Sequence, residues 1–291
     1  MRGVADDLPD HTAQVLTVVI PSHDGAATIG SALDSVPPVA GIDVVVVDDG
    51  STDATAATAE GRPGVTVVRQ TRAGRCAARN AGARVAAGRY LLFLDDDDEL
   101  VEAGIVALVE RLRTAGFEAP VVRLALDHRD ADGSASRVAP SPDVGVGPYI
   151  PGSFAVRADA FARVSGYDEA LDYSENTELL FRLLHDDRDA VLIDEVAVRH
   201  HHRADVARHY RQARVAATGH ILERHEERLA ERPGMLADLL GIAAHDHFRL
   251  GDRRSATSYA WRSLRVRPTA KRLLRLVRVA LSPTRLAERG A

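Results

Sequence analysis

Four consecutive carboxylates, Asp95 to Asp98, follow directly on the apolar run Tyr90–Leu94 in YLLFLDDDDEL. Adjacent carboxylates repel one another, so a folded chain keeps them together only where positive charge compensates or water is plentiful. A solvated acidic turn meets that condition, and so does a seat for a divalent cation. The position favours the cation, because ligands of open α/β sheets sit outside the carboxyl ends of the strands. Hard oxygen donors suit Mg²⁺ or Mn²⁺, held by one or two carboxylates together with substrate phosphates. The run therefore reads as a metal–diphosphate site. A second acidic cluster, Asp48-Asp49-Gly50-Ser51-Thr52-Asp53, closes the β-branched run Ile42–Val47. Paired carboxylates there could accept hydrogen bonds from a nucleoside, while Ser51 or Thr52 caps the helix that follows. Pro21-Ser22-His23 closes a third apolar run at the same sheet edge.

The elements that must position these groups alternate. Apolar runs at Val15–Pro21, Ile42–Val47, Val65–Arg69 and Tyr90–Leu94 read as strands buried on both faces of a parallel sheet. Helices are expected between them at Ala26–Val36, from the acidic cluster to about Glu60, and at Gly74–Ala87. That alternation predicts a doubly wound α/β layer, Rossmann-like and mostly parallel, flanked by helices. The pattern changes after residue 115. Ala119–Leu126 and Gly152–Arg157 read as strands, Asp127–Gly147 as polar loop with room for one hairpin, and Ala158–Val164 and Glu175–Leu184 as helices. From Ala204 the chain reads as helical almost throughout, so the expected organisation is a loose leader over 1–14, a catalytic domain over 15–203 and an all-helical extension over 204–291.

Composition narrows the class. The 291 residues are 45% hydrophobic and 27% charged, ordinary for a soluble globular protein. A single cysteine, Cys76, excludes an intrachain disulfide and any multi-cysteine zinc site, and fits a reducing, cytoplasmic setting. The acidic start is not expected to act as a signal peptide, and no apolar run reaches the ~18 residues that would span a bilayer. Nine basic residues against one acid from Arg262 onward leave the body near −13, which argues against nucleic acid as a partner. GxxxxGK and GxGxxG are absent, which argues against P-loop and dinucleotide enzymes.

Four segments, VVIPSHDGAATIGSALDSV, VVVVDDGSTDATA, GRCAARNAGARVAAGRYLLFLDDDDEL and GSFAVRADAFARVSGYDEAL, together resemble the family 2 glycosyltransferases over about residues 15–185. The resemblance implies the GT-A fold and a metal-dependent, inverting, hexosyltransferase-like enzyme. It would move a sugar from a nucleotide-sugar donor, UDP-linked by family preference, to a glycan, lipid-linked sugar, peptide or metabolite. Carried over by position, it implies that Pro21, Ser22 and His23 line the nucleoside pocket with Asp48 and Asp49, the latter facing the base. By the same resemblance Arg79 would close over the nucleotide and Asp95-Asp96-Asp97 would be the DxD motif. Asp97 and Asp95 would meet Mn²⁺ or Mg²⁺, and Gly152 and Ser153 would lie beside the transferred sugar.

One stretch departs from the family pattern. The general base usually lies in a Glu-Asp pair opening a helix, but here the pair is Glu175-Asn176. An amide cannot accept a proton at neutral pH, so Glu175 or Glu178 takes the role, or the acceptor needs little help, as a thiol would. The same substitution motivates an alternative: a catalytically inactive sugar-nucleotide or glycan-binding module. In His200-His201-His202, His201 or His202 could add a metal ligand, although three adjacent histidines on a strand cannot all point one way. Leu236–Arg249 and Ser255–Arg265 read as a helical hairpin able to cover the core, bind acceptor or form a homodimer contact. Lys271–Leu281 is expected to place Lys271, Arg275 and Arg278 on one face and Leu and Val on the other. That pattern suits peripheral attachment at the inner face of a membrane, or packing of the Leu/Val stripe on the domain.

Overall fold

Strands β1 (Leu16–Ser22), β2 (Ile42–Asp49), β3 (Val65–Gln70) and β4 (Tyr90–Phe93) form from the four apolar runs. All seven residues of β1 and all four of β4 are buried, as expected for strands covered on both faces. The computed structural model describes residues 14–130, 133–141, 149–184, 190–201 and 207–281. Most of the expected leader, residues 142–147 of the expected 127–147 loop, and His202 lie outside them.

Between these strands run α1 (Ile29–Asp34), α2 (Thr55–Glu60) and α3 (Arg75–Val85). After β4 come β5 (Glu99–Leu100), α4 (Glu102–Leu112), β6 (Val121–Arg129), β7 (Ala135–Val138), β8 (Phe154–Arg157), α5 (Ala158–Arg163), α6 (Glu175–Leu183) and β9 (Ala190–His201). The sheet order among the described residues is β3-β2-β1-β4-β8-β6-β9-β5, with β7 beside β6. The β3-β2-β1-β4 half is wholly parallel. Strand β8 then runs antiparallel to both β4 and β6, so the second half is mixed. In the parallel half Ser22 pairs with Asp48, and Leu94 N–H reaches Val19 O at 3.0 Å. The carboxyl ends of β1, β2 and β4 therefore open on one edge, the place a doubly wound sheet offers a ligand.

The expectation that Ser51 or Thr52 caps the second helix is corrected. Helix α2 begins at Thr55, whose N–H reaches Asp53 Oδ1 at 2.9 Å. Ser51 and Thr52 instead bind Asp24 in the β1–α1 loop, at 3.0 Å from Asp24 N to Ser51 Oγ and 2.7 Å from Thr52 N to Asp24 Oδ1.

The described residues fall into two compact units, one within 1–142, 149–169 and 181–202, the other within 170–180 and 203–291. Glu175 and Asn176 belong to the second. Its helices are α7 (Ala207–Arg224), α8 (Glu226–Ala230), α9 (Pro233–Arg249), α10 (Arg253–Val266) and α11 (Ala270–Leu281). Asp252 caps α10 by accepting from Ser255 N at 3.1 Å. The Leu and Val positions of α11 divide between its packed and its exposed sides. Arg272, Arg275, Leu276 and Val279 are its less exposed positions, whereas Leu273, Leu274, Val277 and Leu281 face solvent. Arg272 is drawn inward by Asp238 of α9 at 2.6 Å, and Gly241 leaves the space that the Arg275 guanidinium occupies.

Gly82 lets α3 lie close on the sheet, since a Cβ there would meet Val19 Cγ1 and Val47 Cγ2. Gly82→Val should therefore cost about 1–3 kcal/mol through overpacking, read as a lowered urea midpoint with unchanged slope; a midpoint equal to wild type would show that α3 stands off.

Candidate functional site

The edge is built by loops that hold one another. His23 Nδ1 faces Asp49 O at 3.0 Å, so Nδ1 carries the proton and Nε2 accepts from Arg72 Nη1 at 2.6 Å. Gly25 N donates to Thr55 Oγ1 at 2.9 Å and Ala26 N to Asp53 Oδ2 at 3.0 Å, joining the β1–α1 and β2–α2 loops. Both exposed carboxylates in this zipper have pKa values below the usual carboxylate range. For Asp24 the chief cause is the backbone hydrogen bond from Thr52, and for Asp53 the side-chain hydrogen bond from Thr55.

The buried pair Asp48 and Asp49 divides its work. Asp48 Oδ1 accepts from Ser51 N at 3.0 Å and shapes the turn. Asp49 accepts from Gln70 Nε2 at 2.7 Å and from Ala73 N and Gly74 N at 2.8 Å each. Gly74, at φ 93°, is the N-cap of α3, so Asp49 places negative charge where the helix dipole favours it. Three protein donors thus occupy a carboxylate with about four acceptor positions.

On α3, Arg79 is fully buried, and its Nη2 donates to Asp95 Oδ1 at 2.6 Å. Its guanidinium also lies 5.3 Å from the ring centre of Tyr167. The next residue, Asn80, donates to Tyr167 O at 3.0 Å and Glu169 Oε1 at 2.9 Å, and accepts from Tyr167 N at 2.8 Å. Asn80 was not among the residues singled out from sequence, although it sits in the quoted AARN segment.

The acidic run itself is sorted by partner. Asp96 accepts from Ser22 Oγ, and Gly25 permits that approach because a Cβ there would collide with the Asp96 carboxylate. Asp98 is fully buried and lies 2.9 Å from His200 Nδ1 and 3.0 Å from His201 N. Burial pushes the Asp98 carboxyl up, more than His200 lowers it. Burial alone would lower the His200 imidazole, but the bond and charge of Asp98 outweigh it and raise the pKa. In the same unit Ser153 Oγ donates to Ile150 O at 2.6 Å, and Gly152, at φ 84°, has no room for a Cβ against Val198.

For a cation, Asp95 and Asp97 supply hard carboxylate oxygens at the edge, both half-buried. No group of three or more His, Cys, Asp or Glu is gathered around a common point among the described residues. That donor set fits an ion held by one or two carboxylates and completed by phosphate oxygens. At the histidine run the His200 imidazole and the His201 backbone N–H bind Asp98, and His202 lies outside the described residues.

Residues 17–155 match the model of glycosyl transferase family 2. These residues form a family 2 glycosyltransferase domain. In curated relatives the likeness is regional. It reaches 33% identity over 109 residues of the uncharacterized glycosyltransferase YibD of Escherichia coli, covering 35% of this chain and 30% of that one. It reaches 36% over 124 residues of the succinoglycan biosynthesis protein ExoO of Rhizobium meliloti, covering 41% and 34%. The chain thus spans about a third of the length of these relatives. Among solved structures, S. aureus TarS 1-349 in complex with UDP-GlcNAc superposes with a TM-score of 0.62 at 16% identity, covering 87% of this chain and 82% of that one. The mannosyltransferase PcManGT from Pyrobaculum calidifontis, in complex with GDP-Man and Mn²⁺, gives 0.56 at 18%, covering 94% and 82%. The family domain accordingly has the GT-A α/β fold, followed by helices.

Within the second unit, Glu178 is fully buried and lies 2.7 Å from His225 Nε2, while Asn176 Nδ2 donates to Glu175 Oε1 at 3.3 Å. Asp246, fully buried on α9, receives Arg214 Nε of α7 at 2.6 Å and a second bond from Nη2. The guanidinium pKa is raised, first by Asp246 and further by a hydrogen bond with Tyr173, which stands two residues before Glu175. Arg214→Met leaves the Asp246 carboxylate buried without its cation and should cost about 3–5 kcal/mol. Adding Asp246→Leu should recover much of that loss in a denaturation series; a double variant no more stable than Arg214→Met would contradict it.

Proposed function

We propose that the chain transfers a sugar from a nucleoside diphosphate sugar, with UDP as the nucleotide, to an acceptor with inversion at the anomeric carbon, assisted by Mn²⁺ or Mg²⁺. The observation that carries this reading is the convergence of Ser22, Asp48 and the Asp95–Asp98 run at one edge of the parallel sheet. The nucleotide-sugar complexes of TarS and PcManGT support it by fold likeness.

In this reading Pro21, Ser22 and His23 wall the nucleoside, and Asp49 orders the β3–α3 loop that borders it. Arg79 holds Asp95, and Asp95 with Asp97 would hold the cation. A bound divalent cation supplies Lewis-acid stabilisation of the charge that grows on the β-phosphate. Gly152 and Ser153 shape the turn proposed to lie beside the sugar. The acceptor oxygen attacks the anomeric carbon as its proton passes to a carboxylate, and the bond to the β-phosphate oxygen breaks with its electrons leaving on the diphosphate. Glu175 is the better base, since Glu178 has no exposed surface and is engaged by His225, whereas Glu175 keeps 6% exposure. The reducing, cytoplasmic setting belongs to the same reading and agrees with a single cysteine, the buried Cys76.

Two variants test these roles in an assay of released nucleoside diphosphate with Mn²⁺ present. Asp97→Ala should abolish metal-dependent turnover, and Glu175→Gln should lower it by about 10²-fold or more. Turnover near wild type in Glu175→Gln would remove that residue from the mechanism. Asn176 favours a second reading, a binding module of the same fold. It would show nucleotide uptake with turnover at the buffer rate in wild type as well.

A further inference from the structure

Residues 253–281, spanning α10 and α11, contain nine cationic side chains and no carboxylate. Against a net charge of −5 for the whole chain, that leaves −14 on everything else. The same stretch also exposes large apolar side chains. Trp261 is 49% exposed, Leu273 51%, Leu274 69%, Val277 43% and Leu281 76%. Leu273, Val277 and Leu281 recur every four residues and Leu274 adjoins them, so all four share one helical face. Exposed Lys271 and Arg278 lie on the same helix. At the turn between the helices, Leu264, Arg265, Pro268, Thr269, Ala270 and Leu273 line a cleft of about 540 Å³. Arg265, from that cleft, lies 4.6 Å from the centre of the Trp261 ring, which extends the surface onto α10.

We infer that the outward face of α11, continued through Arg265 to Trp261, is a docking surface for a membrane bearing anionic lipid. The charge pattern selects this occupant. Leucines amid cations, with tryptophan at the margin, suit the boundary between acyl chains and acidic headgroups. A second copy of the chain would bring two cationic faces together without carboxylates between them. A nucleic acid would satisfy the cations and leave the leucines in water. The arginines drawn inward against Asp238 and Gly241 explain why the apolar side chains, not the guanidinium groups, face outward. The inference stands apart from the glycosyl-transfer reading, since none of these residues belongs to the proposed donor site.

The test is co-sedimentation of the full chain with vesicles of phosphatidylcholine alone and with about a third phosphatidylglycerol. Wild type should partition at least about tenfold more strongly to the anionic vesicles and lose that preference at high salt. Lys271→Glu with Arg278→Glu, and separately Leu274→Gln with Leu281→Gln, should each reduce partitioning about tenfold or more, with unchanged melting temperature and nucleotide binding. Equal partitioning of wild type to both vesicles overturns the inference without recourse to any variant, as does wild-type binding by both variants. Sedimentation showing a dimer that Leu274→Gln with Leu281→Gln dissolves, with no vesicle binding, overturns it in favour of self-association.

Discussion

A guanidinium with no exposed surface cannot be left without an anion, because the desolvation of a buried charge is repaid only by a well-placed partner. Arg79 is that group, and Asp95 is its partner. The pair ties the first turns of α3 to the carboxyl end of β4 and so fixes where the acidic run begins. Asn80, one residue further, ties the same helix to Tyr167 and Glu169. A short stretch of one helix thus holds both Asp95, at the start of the acidic run, and the Tyr167–Glu169 segment.

The carboxylates at this edge share a sign but not a task. Asp24, Asp48, Asp49 and Asp53 receive backbone N–H groups and hold the loops around the proposed nucleoside pocket. Asp96 and Asp98 are engaged by Ser22 and by His200 and His201. The edge therefore holds its carboxylates in hydrogen-bonded form, so the proposed cation would meet Asp95 and Asp97 within a frame already set by their neighbours.

Much of this was legible in the sequence, because β-branched runs such as Ile42–Val47 can only be buried strands, and an acidic cluster following such a strand must lie at its end. The partners were not legible. Nothing near Asp246 announces Arg214, 32 positions away, and nothing near Asp98 announces His200, 102 positions away. Strand β9 carries Asp194 and Glu195 in mid-course, which masks its alternation. They fall at a break in register, where Ile193 pairs with Leu124 and Val196 with Ala125. The facing of α11 turned on Asp238 and Gly241, residues of another helix that no periodicity within α11 could supply.

The central claim is that the acidic edge of the parallel half-sheet takes a nucleoside diphosphate through a divalent cation. Calorimetric titration of UDP into the full chain addresses it most directly, with Mn²⁺, with Mg²⁺ and with chelator. Saturable uptake that requires the cation and approaches one nucleotide per chain is the result the structure predicts. Absence of uptake with either cation, or uptake that chelator leaves unchanged, would contradict it.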